Sequence, residues 1–217
     1  MTDLIPQLNL LLPEIFIAIM AMFILLVGLF IDDKNKHISY GLSQFTLLCA
    51  GLITASIGFS QPQFAFNDMF IFDSLALFLK MMSYITLSIV FIYSKKYLFD
   101  KNLLNGEYFS LSFFALLGVM LMISSKNLLL MYMGLELLSL SLYALIALNR
   151  DDKKSNEAAI KYFVLGALAS GLLLYGMSML YGFSGSLDLY TIGNVIQTQN
   201  INSEILVFGL VFIVVGI

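Results

Sequence analysis

Six long apolar runs, separated by short charged or polar breaks, decide what this chain can become. They cover about residues 12–31, 41–60, 72–93, 109–124, 128–148 and 158–181. A helix needs roughly 20 mostly apolar residues to cross the hydrocarbon core of a bilayer. Inside that core each backbone N–H and C=O has to be satisfied within its own segment, so a run of this kind must be helical. The fourth and fifth runs are divided only by Ser125-Lys126-Asn127, which marks a tight helical hairpin. The fold class expected is therefore all-α, a polytopic transmembrane helix bundle with six complete spans. Composition agrees: 60% of the residues are hydrophobic and 12% are charged, against about 45–50% and about 25% in a soluble domain. A water-soluble globule and a disordered chain are both excluded.

A seventh apolar run begins near Ile205 and reaches Ile217. At 13 residues it is too short to span. The reading is of one transmembrane domain over residues 1–217 that forms the N-terminal part of a longer protein. The first run has no Lys or Arg before it and carries Glu14 at its start. A secretory signal needs a positive leader and a small-residue cleavage site, so this run is expected to be a retained span.

The basic residues set the orientation. Lys34 and Lys36, then Lys95, Lys96 and Lys101, then Arg150, Lys153 and Lys154 fall in alternate connections, and so at one end of the bundle. The other end holds Lys126. Positive connections stay in the cytoplasm. The N-terminus is therefore expected on the non-cytoplasmic side of the membrane. The longest connection, about 182–203, contains Gly182, Gly185, Leu187, Tyr190, Ile192 and Val195 at spacings that fit a short interfacial helix.

Several chemistries are excluded. A single Cys49 makes no internal disulfide. With one Cys and one His (His37, in a charged connection), this chain alone builds no bis-His haem, iron–sulfur cluster or zinc site. No cofactor or metal is expected on the chain. A net charge of −3 without a basic patch gives nucleic acid nothing to bind.

Beyond Glu14 and Asp73 at the starts of their runs, three charged residues lie inside the runs. Glu136 lies near the middle of the fifth, where an acid costs about 2.5–3.5 kcal/mol on insertion scales and usually marks an ion or proton path. Tyr132, Glu136, Ser139 and Tyr143 are spaced four, three and four, and so share one helix face. The alternative is a structural, protonated Glu hydrogen-bonded to a neighbouring helix. Lys161 lies about one turn into the sixth run, four residues after Glu157. It fits a snorkelling ion pair at least as well as a functional role. Lys80 lies too deep in the third run to snorkel and needs a partner or water; pairing and transport are both open. Asp73, on the same face, is near the interface. Gly166 with Ser170, and Ala167 with Gly171, have the spacing that lets helices approach closely. An acid and a lysine that face each other in the membrane would titrate as a unit, which is the core of a proton pump.

The stretch Tyr132-Met-Gly-Leu-Glu136-Leu-Leu-Ser-Leu-Ser-Leu-Tyr143-Ala-Leu-Ile-Ala resembles the antiporter-like membrane subunits of bacterial NADH:quinone oxidoreductase (respiratory complex I), and among them the subunit N type. So do Glu157-Ala-Ala-Ile-Lys161-Tyr-Phe-Val-Leu-Gly166-Ala and Ser170-Gly-Leu-Leu-Leu-Tyr-Gly176-Met. Leu180-Tyr-Gly-Phe-Ser-Gly185-Ser-Leu and the opening Leu12-Pro13-Glu14 are similar to the family too. The resemblance implies a subunit of about fourteen spans with two inverted five-helix units, each a half-channel with a broken helix. It implies that Glu136 and Lys161 are the proton-translocating pair, and it gives no catalytic role to Lys80. It places NAD, FMN, iron–sulfur clusters and quinone in other subunits. The expected partners are other membrane subunits of complex I, including the sister antiporter-like ones, and lipid. The chain departs from the family by ending where the broken seventh helix starts, so the channel lysine of that helix is missing. A related cation/proton antiporter or membrane-bound hydrogenase subunit, and a purely structural membrane scaffold, are the competing readings.

Overall fold

The computed structural model describes residues 4–30, 37–58, 62–101, 103–198 and 204–217. Helices α1 (Leu4–Leu10) and α2 (Leu12–Phe30) open the chain, followed by α3 (His37–Ile57). A two-stranded hairpin, β1 (Gln63–Ala65) and β2 (Phe70–Phe72), leads into α4 (Ser74–Asp100) and α5 (Gly106–Ile123). Then come α6 (Leu128–Ile146), α7 (Lys153–Ser184), α8 (Leu189–Thr198) and α9 (Glu204–Gly216). Among the described residues six helices, α2 to α7, are long and apolar enough to span. The molecule is an all-α multi-pass membrane bundle with the six spans expected. Lys34 and Lys36, the last residue of the first run and the tip of the connection after α8 lie outside the described residues.

Helix boundaries follow local chemistry. Asp73 caps α4 by accepting the Ala76 N–H at 2.7 Å, and Asn127 caps α6 by accepting that of Leu129 at 2.9 Å. Asp152 caps α7 through the Lys154 N–H at 3.1 Å. Gly185 ends α7 at φ 69°, a left-handed position open to a residue without a β-carbon, and its N–H donates to Tyr181 O at 2.7 Å. His37 is helical rather than part of a connection: it starts α3 and stacks on Phe99 with ring centroids 5.7 Å apart.

Helices α2, α3, α4 and α5 close a ring, each packed on the next and α5 back on α2. Its core holds Ile17, Ala21 and Ile24 of α2, Tyr84 and Phe91 of α4, and Phe109, Phe113 and Met120 of α5. Helix α6 lies along α5, and α7 bridges α6 to α9. A second core gathers Leu128, Leu173, Met177, Leu180, Ile192 and Leu206. Close helix approach comes from glycine facing glycine. A β-carbon on Gly118 would stand 2.5 Å from Gly134 O, and one on Gly176 2.7 Å from Gly209 O. The small-residue spacing in α7 works differently from expectation. Gly166 and Ser170 do face α6, but a β-carbon on Gly171 would meet nothing within 4 Å.

The connection 61–71 departs from a plain loop. Residues 63–65 pair antiparallel with 70–72, and Phe66, Asn67 and Asp68 between them are all left-handed, at φ 54°, 53° and 63°. Three non-glycine residues in that region are uncommon, and each costs roughly 1–2 kcal/mol. Pairing with neighbouring segments holds the hairpin. Ile71 N donates to Ser124 O at 2.8 Å, and Lys126 N to Met69 O at 3.0 Å. On its other side the 124–128 turn pairs with 187–189: Leu128 N donates to Leu187 O at 2.9 Å and Leu189 N to Lys126 O at 3.0 Å. The short helix expected after α7 is α8, with Ile192 buried.

The charged ends sort as the sequence requires. Arg150, after α6, bonds both Glu107 oxygens at the start of α5, at 3.1 and 3.2 Å. Lys95, late in α4, lies 4.2 Å from the ring centre of Tyr40 at the start of α3. These contacts bring the basic residues near Lys95 and Arg150 to one end. Lys126 lies at the other, 3.9 Å from Asp188.

Candidate functional site

Among the described residues, two polar sites in the spanning helices contain residues that the sequence singled out, Glu136 in one and Lys80 in the other. Glu136 is eight residues beyond Leu128, about 12 Å into α6 at 1.5 Å per residue. The four-residue spacing puts Tyr132 one turn before it, and the Tyr132 hydroxyl donates to Glu136 Oε1 at 2.9 Å. Helix α7 supplies the third member. The Ser170 hydroxyl touches the same carboxylate oxygen and lies 2.9 Å from the Tyr132 hydroxyl. Three oxygens thus form a closed triangle across the α6–α7 seam, and Glu136 Oε2 makes no hydrogen bond to a described residue. One oxygen of the acid is thus held at the seam.

The rest of the stripe continues along the seam. A β-carbon on Gly166 would run into the Tyr143 hydroxyl, so that hydroxyl lies directly over the glycine. The Tyr143 ring meets Tyr162 and Phe163 edge-on, at 4.8 and 5.7 Å between centroids. Ser139 shares the face, with no side-chain hydrogen bond among the described residues. Sequence reasoning had placed Ser170 and Gly166 only as packing residues. The hydroxyl in a small-residue pair, opposite an acid-bearing stripe, was the signal that Ser170 does more.

Lys161 is not brought to Glu136. It binds Glu157 at 2.6 Å, both side chains about two-thirds exposed at 71% and 66%. Ser170 marks the Glu136 level on α7, and Lys161 precedes it by nine residues, about 13 Å along the helix axis. Tyr143 and Gly166 lie between the two. The pairing described for Lys161 is thus the local one with Glu157.

The second site is a buried ion pair. Lys80 Nζ lies 2.5 Å from Glu14 Oε1, with side-chain exposures of 0% and 4%. Lys80 comes from the second turn of α4 and Glu14 from the first turn of α2. The Phe70 and Phe72 rings of the hairpin cover the ammonium, with their centroids 5.0 and 4.9 Å from Nζ. Apart from this contact neither group has a hydrogen-bond partner among the described residues. The sequence demanded a partner for Lys80 and left it open. Asp73, the nearer acid in sequence, is engaged as the α4 cap. Glu14 looked like a span-boundary acid, and only the packing of α2 against the ring turns it inward. No group of three or more His, Cys, Asp or Glu able to hold a metal occurs among the described residues.

Comparison with known proteins converges on one family. The family model described as NADH:quinone oxidoreductase/Mrp antiporter, TM matches residues 125–217. NADH-quinone oxidoreductase subunit N of Thioalkalivibrio sulfidiphilus is 48% identical over 218 residues, covering 100% of this chain and 45% of that protein. The subunit N of Nitrosomonas europaea is 46% identical over 217 residues, again 100% of this chain and 45% of the relative. The chain thus spans somewhat under half the length of the curated relatives it matches. Among solved structures, a chain of respiratory complex I from Thermus thermophilus with bound aureothin superposes with TM-score 0.71 at 26% identity, over 94% of this chain and 43% of that one. A chain of the archaeal membrane-bound sulfane sulfur reductase superposes with TM-score 0.74 at 21% identity, over 97% and 44%, and shares the fold.

Proposed function

The chain belongs to the subunit N family of NADH-quinone oxidoreductases, and from that premise we propose that it serves in proton translocation across the membrane. It does so as a membrane subunit of an enzyme passing electrons from NADH to quinone. The observation that carries this reading is Glu136, held midway along α6 by Tyr132 and Ser170 at the α6–α7 seam. An acid there is costly unless it is used or well partnered, and one of its oxygens has no hydrogen bond among the described residues. Tyr143, next along the seam toward the basic end, offers a hydroxyl that accepts and donates in one step. Lys161 lies beyond it as the next group able to exchange a proton.

In this reading the chain itself performs no redox chemistry. NAD, FMN, iron–sulfur clusters and quinone belong to other subunits of the assembly, and sister antiporter-like subunits and lipid are its neighbours. The enzyme class is a translocase. The membrane is the bacterial cytoplasmic one, and the N-terminus lies on the non-cytoplasmic side. Support for the orientation comes from Arg150 and Lys95 meeting the start of α5 and of α3 at one end. Residues 1–217 act as one transmembrane unit.

The test is NADH-driven proton uptake by inverted membrane vesicles carrying Glu136→Gln in the intact enzyme. Assembly and electron transfer to an artificial acceptor are measured in the same membranes. Gln keeps the shape and loses the exchangeable proton. Assembly at the native level with a fall in coupled proton uptake is expected. Unchanged uptake per NADH oxidised would make the carboxyl structural and favour a scaffold.

A further inference from the structure

The ion pair Glu14–Lys80 lies in the four-helix ring, apart from the Glu136 seam, and nothing in the proposed path uses it. Its burial is nearly complete, and its two charges come from helices that meet mainly through α3 and α5. A buried pair of this kind is poor evidence of stability, because desolvation of both ions can outweigh their attraction. Apolar residues of the same size would pack the position at least as well.

Polar contacts also continue away from the pair along α4. One turn on, Tyr84 lies 3.0 Å from the Thr54 hydroxyl of α3. One turn further, Ser88 donates to Gln44 Oε1 at 2.6 Å, and Gln44 Nε2 donates back to Ser88 O at 3.2 Å. Residues 80, 84 and 88 share one face and span about 12 Å of the helix. The row then stops at Phe91, whose ring packs edge-on against Phe109 and Phe113. At the opposite end Phe70 and Phe72 of the hairpin close over the lysine. The arrangement is a polar line shut at both ends by aromatic rings, with its charged pair next to the hairpin.

We propose that Glu14 and Lys80 form a second proton-exchange site of this subunit, in the α2–α5 ring and distinct from the Glu136 seam. This rests on the reading of the chain as a proton-translocating subunit. The elementary step conserves charge: the proton on Lys80 Nζ passes to Glu14 Oε1, and ammonium plus carboxylate become amine plus carboxylic acid. Release of the acid proton to a water molecule as hydronium leaves an amine and a carboxylate, and a proton taken up on Nζ from a second hydronium restores the pair. One full cycle moves one proton through the site. Tyr84, one turn beyond Lys80 with its hydroxyl against Thr54 and Met120 Sδ, is the next polar group along α4 from the pair.

The test uses the intact enzyme in inverted vesicles, with two variants of the pair and Glu136→Gln as reference. Glu14→Met/Lys80→Met removes both charges at similar volume. Lys80→Arg keeps the ion pair but not the exchange, because a guanidinium does not deprotonate in proteins. The expected result is native assembly and native electron transfer to an artificial acceptor for both variants, with proton uptake per NADH oxidised reduced in both. A structural pair would be rescued by Arg, and native uptake in Lys80→Arg overturns the proposal. So does native uptake in the double Met variant. Failure of both to assemble, where Glu136→Gln assembles, assigns the pair to packing and overturns it as well. If Glu136→Gln lowers uptake and the pair variants do not, this inference alone falls. If none of the three lowers it, the proton-translocating reading falls first.

Discussion

The hydroxyl of Tyr143 occupies the space in which a β-carbon on Gly166 would stand. The Tyr143 ring meets Tyr162 and Phe163 edge-on, so moving it disturbs both. Gly166→Ala is expected to overpack the α6–α7 seam at a cost of about 1–3 kcal/mol. The thermal midpoint of the detergent-solubilised enzyme should fall, and adding Tyr143→Phe should restore part of the loss. A native midpoint for the single variant would show that the seam yields freely.

The α5–α6 crossing is less forgiving, because backbone meets backbone. A β-carbon on Gly118 would stand 2.5 Å from Gly134 O and 2.7 Å from Leu138 N, both main-chain atoms that cannot swing aside. Gly118→Ala should reduce the amount of assembled enzyme more than Gly166→Ala does. Gly41→Ala, where a β-carbon would meet nothing within 4 Å, should leave it unchanged. Quantifying assembled enzyme on native gels ranks the three. Equal yields would contradict the crossing described.

Glu157 and Lys161 separate an ion pair from a proton path. The pair is exposed and spaced i, i+4, which limits it to about 0.3–0.5 kcal/mol. Glu157→Gln should therefore assemble and pump like the native protein. Lys161→Ala should assemble equally well and lose proton uptake. If the two variants behave alike in uptake, Lys161 has no role beyond its surface pair.

Asp188 supplies a pH dependence outside the membrane. Its carboxyl sits below the usual carboxylate range, because the Thr191 N–H and then the Thr191 hydroxyl donate to it, with Lys126 adding a smaller pull. A folded-state value below the unfolded one stabilises at pH above the unfolded value, and the stabilisation fades as pH falls through the folded value. The start of α8 should loosen on acidification below about pH 4, near the unfolded Asp value. Amide exchange over residues 189–192 reads this directly. Asp188→Asn should keep the cap and remove the pH dependence; an unchanged acid response would place its origin elsewhere.

Much of this architecture was legible because it rests on local rules. Apolar run length located all six spans, and the alternation of Lys and Arg sorted their ends. Four-residue spacing joined Tyr132 to Glu136 without knowledge of any neighbour. What escaped depended on which helix lies against which. Glu14 reads as a boundary acid until α2 is packed into the ring and meets Lys80. Ser170 reads as a small packing residue until α6 presents a carboxylate to it. The distance from Lys161 to Glu136 is likewise a product of how α7 crosses α6. Short pairing in 63–72 also escaped, since three-residue strands carry too few residues for an alternating pattern to show.

The two ends of the bundle are fastened by different means. At one, the segments 69–71, 124–128 and 187–189 exchange main-chain hydrogen bonds, so three connections behave as a single stitched strip. At the other, the links among the described residues include side-chain contacts at the helix ends, such as Arg150 with Glu107 and Lys95 with Tyr40. A book bound along one edge moves in the same way. Any rearrangement of α6 and α7 against the ring must splay the basic end while the spine stays shut. The Glu136 seam, midway along α6, would feel that opening, whereas the Glu14–Lys80 pair beside the hairpin would stay with the closed edge.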